Sequence, residues 1–202
     1  MDPLSPAQLR LNLDTRELHA AADEGWAFLR QLRIRRRDYI DQLIVTYGFE
    51  SSVESAFAYT PGLRAVMDLR ERARAGLIAQ DLIAAGMSAL EVAQLPQLSL
   101  LGFDSVREAL GWMYVTERAT LHFDALRRWL LRSLGPATPT AYLRAYDGIA
   151  SARWSQFGRV LDAECSDEPG MQQVLSGARR GFEVLARWSE QVRPSLRSRS
   201  VS

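Results

Sequence analysis

The chain has 202 residues, of which 47% are hydrophobic and 24% charged, and its formal net charge is +1. These values are ordinary for a globular protein with one substantial core, and so small a charge gives no general attraction to nucleic acid or to an acidic membrane. All 25 basic residues are arginine, which excludes a Schiff-base or P-loop lysine. A single cysteine, Cys165, excludes an internal disulfide. With no secretory pattern and no apolar run near ~18 residues, we expect a cytoplasmic protein that binds neither nucleic acid nor a membrane.

Helix-start signals recur along the chain. The sequence "SPAQ" at residues 5–8 offers a serine cap, a proline in the first turn and a glutamine at the capping-box position. "SALE" at 88–91 and "SVRE" at 105–108 are capping boxes, and "TPTA" at 138–141 repeats the cap and proline. Alternating, strand-like runs are missing. The sequence therefore predicts an all-α fold, with helices near residues 6–23, 36–59, 62–85, 88–94, 105–134, 139–146, 149–163 and 168–192.

These helices are expected to form a single domain over residues 1–192, because no repeat and no long linker divides them. Pro194 is expected to end the last helix. The remaining stretch, "RPSLRSRSVS" at 193–202, carries little apolar surface. We therefore expect it to be a disordered tail.

The two histidines of the chain are both predicted to face the interior, from different helices. In the first helix, His19 shares a face with Leu11, Thr15 and Ala22. The predicted helix 105–134, ~45 Å long at 1.5 Å per residue, carries His122 on its inward side, and Glu117 is assigned to another face. The inward residues of that helix are Tyr114, Val115, Ala119, His122, Leu126 and Trp129.

Such a pair is compatible with two core histidines that bond to carbonyl groups, or with a flat apolar cofactor held between two helices. Other metal chemistry fits poorly, because the Glu-x-x-His repeats of di-iron bundles are absent and zinc would lack ligands. The thiol of Cys165 is expected to be inert. The run "RIRRRD" at 33–38 is interpreted as a solvated helix start, and Glu50 and Glu54 as surface or salt-bridged residues.

Six segments of the chain are similar, in order and spacing, to segments of one known family. "LDTRELHAAAD" is similar to a first-helix signature with a threonine four residues before a histidine, here Thr15 and His19. The others are "YIDQLIVTYGFESSVESAF", "LIAQDLIAAG", "ALGWMYVTERATL", "AYDGIASARWSQF" and "GFEVLARWSEQV". Over roughly residues 8–192, the chain resembles the heme oxygenases, particularly the bacterial, biliverdin-producing kind associated with bacteriophytochromes.

The resemblance implies a helical bundle that holds heme b between the first helix and the long one. His19 would bind the heme iron from the proximal side, and Tyr114 and Phe182 would line the pocket. Arg159 is the best match for the cationic partner of the heme propionates, a role that guanidinium groups suit. The implied activity is oxidation of heme by O₂ to biliverdin, CO and iron. It would need an external electron donor, such as a reductase or ferredoxin, and a bacteriophytochrome is a possible partner.

One segment departs from the family pattern. The distal helix of the family reads approximately E-G-S-T-L-G-G, and this chain has "ERATLHF" at residues 117–123. Glycines there let the helix approach the heme and leave space for O₂, but here the distal residues are Arg118, Ala119, His122 and Phe123. The basic residue that the family usually has seven positions before the proximal histidine is replaced by Asn12.

Three outcomes are open at this point. His122 could be a sixth ligand of the iron opposite His19, His122 and Arg118 could form a polar distal pocket that supports turnover, or the pocket could be blocked. The first prediction is heme oxygenase activity, which the polar distal pocket would support. The alternatives are a non-catalytic heme- or tetrapyrrole-binding sensor or regulatory protein, which corresponds to His19/His122 ligation, and a heme-free interaction module, which corresponds to the blocked pocket.

Overall fold

The computed structural model describes residues 4–31 and 33–198, whose regular secondary structure is entirely helical, with no strand among them. The all-α prediction is confirmed. The helices are α1 (Pro6–Asp14), α2 (Arg16–Phe28), α3 (Arg36–Tyr59), α4 (Leu63–Val66), α5 (Ala75–Ala84), α6 (Ala89–Ala93), α7 (Val106–Thr120), α8 (Phe123–Leu134), α9 (Ala150–Glu164) and α10 (Glu168–Ser198), with 3₁₀ turns at Arg70–Arg72 and Tyr142–Arg144. Within the described residues, no helix combines the length and apolar character that a membrane span requires.

The first predicted helix, 6–23, is divided in the structure into α1 and α2. The break lies at Thr15, whose φ of −114° and ψ of 3° depart from helical values. Its hydroxyl donates a hydrogen bond of 2.7 Å to the carbonyl of Leu11, a side-chain contact that competes with regular helix geometry. The break therefore gives α2 a direction of its own at the start of the histidine-bearing segment.

The predicted helix 62–85 is also divided, into α4, a 3₁₀ turn and α5. The start of α5 is capped from another helix, because one carboxylate oxygen of Glu54 accepts the N–H groups of Arg74 (2.6 Å) and Ala75 (3.0 Å). Capping by a distant residue leaves no local signal in the sequence. This contact holds the start of α5 against α3.

The longest predicted helix, 105–134, ends early and restarts. α7 stops at Thr120, and the N–H groups of Leu121 and His122 bond three residues back, to Arg118 and Ala119, as they do in a tight turn. The turn carries Phe123 into the core, where it is 4% exposed and its ring lies 4.7 Å from that of Tyr142. A continuous helix over 105–134 was therefore a wrong prediction.

The end of the chain differs from its prediction as well. In place of the predicted helix 139–146, the structure has only the 3₁₀ turn Tyr142–Arg144. The carboxylate of Asp81 accepts the N–H groups of Ala141 and Tyr142 at the start of this turn. α10 does not stop before Pro194 but continues through it to Ser198. Leu196 is 6% exposed and its carbonyl accepts a hydrogen bond from Arg37, so burial and this contact hold the final turn. The rest of the predicted tail, 199–202, lies outside the described residues.

The centre of the bundle is the contact between α7 and α10, the most extensive pairing of helices in the structure. Here the two backbones touch through glycine. A Cβ atom on Gly111 would lie 2.2 Å from the carbonyl oxygen of Val174, and one on Gly177 would lie 2.4 Å from that of Glu108. α2 packs on α10 beside this pair, so that α2, α7 and α10 together surround the region around His19.

Candidate functional site

His19 lies on α2 and its ring is half-buried against Phe182 of α10, so it points inward as the sequence predicts. Its Nε2 atom is 3.0 Å from the hydroxyl oxygen of Thr15. Since that hydroxyl donates its own proton to the carbonyl of Leu11, it accepts from Nε2–H, which assigns the proton of the neutral ring to Nε2. The centroid of the Phe182 ring lies 5.0 Å from that of the imidazole. Nε2 is therefore engaged by the protein itself.

Arg118 reaches from α7 to α2 and occupies the space in front of His19. Its guanidinium forms two hydrogen bonds to the carboxylate of Asp23, at 3.1 and 2.6 Å, and lies 5.8 Å from the centre of the Phe182 ring. The side chain of Arg118 is only 12% exposed. Bidentate, charge-assisted pairs of this kind are among the stronger polar contacts in proteins, so this pair ties the two helices together across the site.

The imidazole of His19 is expected to stay neutral well below ordinary pH. Burial, and then the positive charge of Arg118, lower its pKa to about 4 against the opposing effect of Asp23. Because the folded pKa lies below the unfolded value near 6.5, His19 contributes stability above that pH, and this contribution disappears as the pH falls toward 4. An NMR titration of the two imidazoles, assigned with a His122→Asn variant, checks this. A His19 midpoint near 6.5 would contradict it.

His122 does not face the interior, which corrects the prediction from the helical period. It is exposed in the turn between α7 and α8, because the helix break places it before the first turn of α8. It lines a groove of about 290 Å³ between α2 and α8, together with Trp26, Arg30 and Phe123. His19 does not line this groove, so the structure does not bring the two histidines to one cavity.

A small void of about 30 Å³ lies among α2, α3, α7 and α10. Its walls include Ala22, Asp23, Ala119 and Phe182. One end is filled by the ring of Trp26, which stacks on Tyr142 with 6.0 Å between centroids. Pockets for ligands of ordinary size have volumes of roughly 300–1,000 Å³, so this space is closed to a large flat ligand as the side chains stand.

Comparison with known proteins identifies the fold. No protein-family model matches the chain, and no curated protein matches its sequence. Among solved structures, it is similar to the NO- and CO-bound heme oxygenase from Neisseria meningitidis, with a TM-score of 0.75 and 19% sequence identity over 95% of this chain and 94% of that one. The chain has the heme oxygenase fold.

On this heme oxygenase fold, the residues in front of His19 do not fit a heme as they are arranged. The space beside His19 and Phe182 is taken by Arg118, which is paired with Asp23, and Nε2 of His19 is hydrogen-bonded to Thr15. The void of about 30 Å³ is lined by Asp23 and Phe182 but not by His19 or Arg118. The family pattern described above has glycine at the position of Arg118, and glycine would leave the space beside His19 free. Arg118 in place of this glycine was therefore a visible sign in the sequence that the site is closed. Asp23, the partner of Arg118, was not recognised from the sequence.

The other predicted site residues take different positions. Tyr114 is buried, with its ring 6.2 Å from that of Phe182, so both lie beside His19. Ala119 is half-buried and lines both the void and the groove of His122. Arg159 is exposed on α9 and lines neither space.

A second group of polar side chains, unrecognised in the sequence, lies on the opposite side of α7. Glu117 is 1% exposed, contrary to its predicted outward position, and its carboxylate binds Arg72 at 2.5 Å and Arg74 at 2.9 Å. Arg74 also bonds to Glu50, whose other oxygen accepts a 2.5 Å hydrogen bond from Tyr142. The interpretation of Glu50 as salt-bridged is confirmed. Each charge in this group has a partner of opposite sign, which is the condition for burying it.

Proposed function

We propose that this protein is a non-catalytic relative of the heme oxygenases. It uses their fold as a heme-free interaction module and does not oxidise heme. The observation that carries the proposal is the Arg118–Asp23 pair, which closes the slot between α2 and α7 at the position where the resemblance expects glycine. Opening the slot would break two charge-assisted hydrogen bonds, and binding of iron by Nε2 of His19 would in addition require that atom to leave Thr15.

Ligation by two histidines is disfavoured by the same geometry. His122 is exposed and lines a separate groove that His19 does not reach. To face His19, it would have to leave the turn that carries Phe123 into the core. Among the three functions considered from the sequence, the heme-free module therefore has the strongest support.

Heme oxygenase activity is the second candidate, and the position of His19 favours it. The residue faces inward from α2, with Tyr114 and Phe182 beside it, as the resemblance implies for a proximal ligand. In that case heme b would be the substrate, with O₂ and electrons from a reductase or ferredoxin, and a bacteriophytochrome would be the candidate acceptor of biliverdin.

A hemin titration distinguishes the two candidates. We expect the purified protein to give no His19-dependent Soret band, and no absorbance of biliverdin after addition of a reductant in air. His19→Ala should therefore leave the hemin spectrum unchanged, and His122→Ala serves as the matched histidine control. A Soret band that His19→Ala abolishes, followed by conversion to biliverdin, would instead establish the enzyme.

A further inference from the structure

A further cavity among the described residues lies away from His19, on the far side of α7. It has a volume of about 710 Å³, and its walls come from α3, from the segment between α4 and α5, and from α7. This volume is within the roughly 300–1,000 Å³ of small-molecule sites. The cavity opens to solvent beside the exposed side chains of Arg64 and Arg70.

One part of the cavity wall is apolar. Val53 and Phe57 on α3, Met67 after α4 and Met113 on α7 are buried residues that line it. Methionine side chains adapt to ligands of varied shape. This wall can therefore receive a hydrocarbon or aromatic body.

The polar end of the cavity has hydrogen-bonding capacity that the protein does not use. Arg74 is 3% exposed, and its Nε and Nη1 atoms bond to Glu50, Glu117 and Tyr146. Its Nη2 atom has no acceptor among the described residues. The hydroxyl of Ser51 is buried and also lacks a partner there. Buried polar groups are nearly always satisfied in native proteins, so the hydroxyl of Ser51 indicates a missing ligand, and Nη2 of Arg74 can donate to the same ligand.

Glu54 is the third polar group at this end. One carboxylate oxygen accepts the N–H groups of Arg74 and Ala75, and the other has no partner in the described part of the chain. Burial, and then the negative charge of Glu50, raise the pKa of this carboxyl to about 7. Glu54 can therefore be protonated near neutral pH and can then donate a hydrogen bond from its free oxygen.

The charges around the cavity depend on that proton. Four arginines and four acidic residues line it, namely Arg64, Arg70, Arg72, Arg74, Glu50, Glu54, Asp68 and Glu117. Their formal charges cancel when Glu54 is ionised, and they leave one positive charge when Glu54 is neutral. A single negative charge on a ligand would restore the balance.

We propose that this cavity binds a small organic monocarboxylate with an apolar body. The carboxylate accepts hydrogen bonds from Nη2 of Arg74 and from the protonated carboxyl of Glu54, and the apolar body contacts Phe57 and Met113. This site is independent of the region around His19, so it stands whether or not the protein binds heme.

Isothermal titration calorimetry with 2-naphthoate, 2-naphthylmethylammonium and 2-naphthylmethanol at pH 6 and pH 8 tests the proposal. We expect the carboxylate to bind in preference to the other two. Its affinity should fall about tenfold between pH 6 and pH 8, because a group with a pKa of about 7 is about 90% protonated at the first pH and about 10% at the second. Glu54→Gln keeps an acceptor for the two N–H groups and should abolish the pH dependence.

A matched pair of substitutions tests the location. Ala58 lines the cavity near the end of α3, and Ala163 is exposed near the end of α9, outside the cavity. Ala58→Trp should reduce the affinity for 2-naphthoate at least tenfold, and Ala163→Trp should leave it unchanged. The proposal is overturned by preferential binding of the ammonium compound, by an affinity that rises with pH, by equal effects of the two tryptophans, or by no binding of the carboxylate at millimolar concentration.

Discussion

Arg118→Gly is expected to give the protein a Soret band with hemin through ligation by His19, whereas we expect no such band from the parent chain. The substitution removes the guanidinium that stands between α2 and α7 and frees Asp23 from its ion pair. It also restores the residue that the family resemblance expects at this position. Glycine inside a helix costs about 1 kcal/mol, so the fold should survive. An absorption titration should show hemin affinity at least tenfold above that of the parent.

Three comparisons make this prediction specific. Arg128→Gly is the matched control, because Arg128 is an exposed helical arginine that pairs with Asp124 away from the slot. The double variant Arg118→Gly/His19→Ala should lose the new band. Arg118→Ala removes the ion pair but keeps a Cβ atom. Comparing it with Arg118→Gly therefore separates the effect of losing the ion pair from the effect of the smaller volume of glycine. Failure of Arg118→Gly to take up hemin, or uptake that does not depend on His19, would show that Arg118 is not what closes the site.

Glu117→Ala is expected to destabilise the fold by about 3–5 kcal/mol, the usual cost of breaking a buried ion pair from one side. Arg72 and Arg74, which are 5% and 3% exposed, would each lose their contact with its carboxylate and remain buried. The free energy of unfolding from urea denaturation, followed by circular dichroism, measures this cost.

Asp124→Ala provides the comparison for that measurement. Asp124 also pairs with an arginine, Arg128, but both side chains are more than half exposed. Exposed ion pairs contribute about 1 kcal/mol or less, so this variant should stay within that margin. Equal losses in the two variants would mean that burial of the Glu117 group does not determine its contribution.

Helix starts were the most predictable feature of this chain because their signals are local. The hydroxyls of Ser5, Ser88 and Ser105 accept the backbone N–H groups three residues ahead, as the capping patterns predict. The helix breaks depend on distant partners instead. The turn before Phe123 places that ring against Tyr142, and a sequence pattern within one helix carries no information about such a contact.

The site was predictable to a similar, limited degree. The helical period placed His19 on the inward side correctly, because the pattern continues across the break at Thr15. Leu11 on α1 and Thr15 are fully buried, and Ala22 on α2 is buried as well. The same reasoning assigned Glu117 outward, since charge normally marks the solvent face. Its partners Arg72 and Arg74 are 45 and 43 residues away in sequence. A buried charge can be recognised only when its partner is known.

The glycine contact between α7 and α10 determines which helix can move. The two backbones already touch at Gly111 and Gly177, so α7 has no space into which it could retreat from α2. α2, in contrast, meets α10 through side chains such as those of His19 and Phe182, and Thr15 interrupts the chain at its start. If the slot widens, we therefore expect α2 to be displaced, because its packing on α10 is looser than the contact of the α7 and α10 backbones.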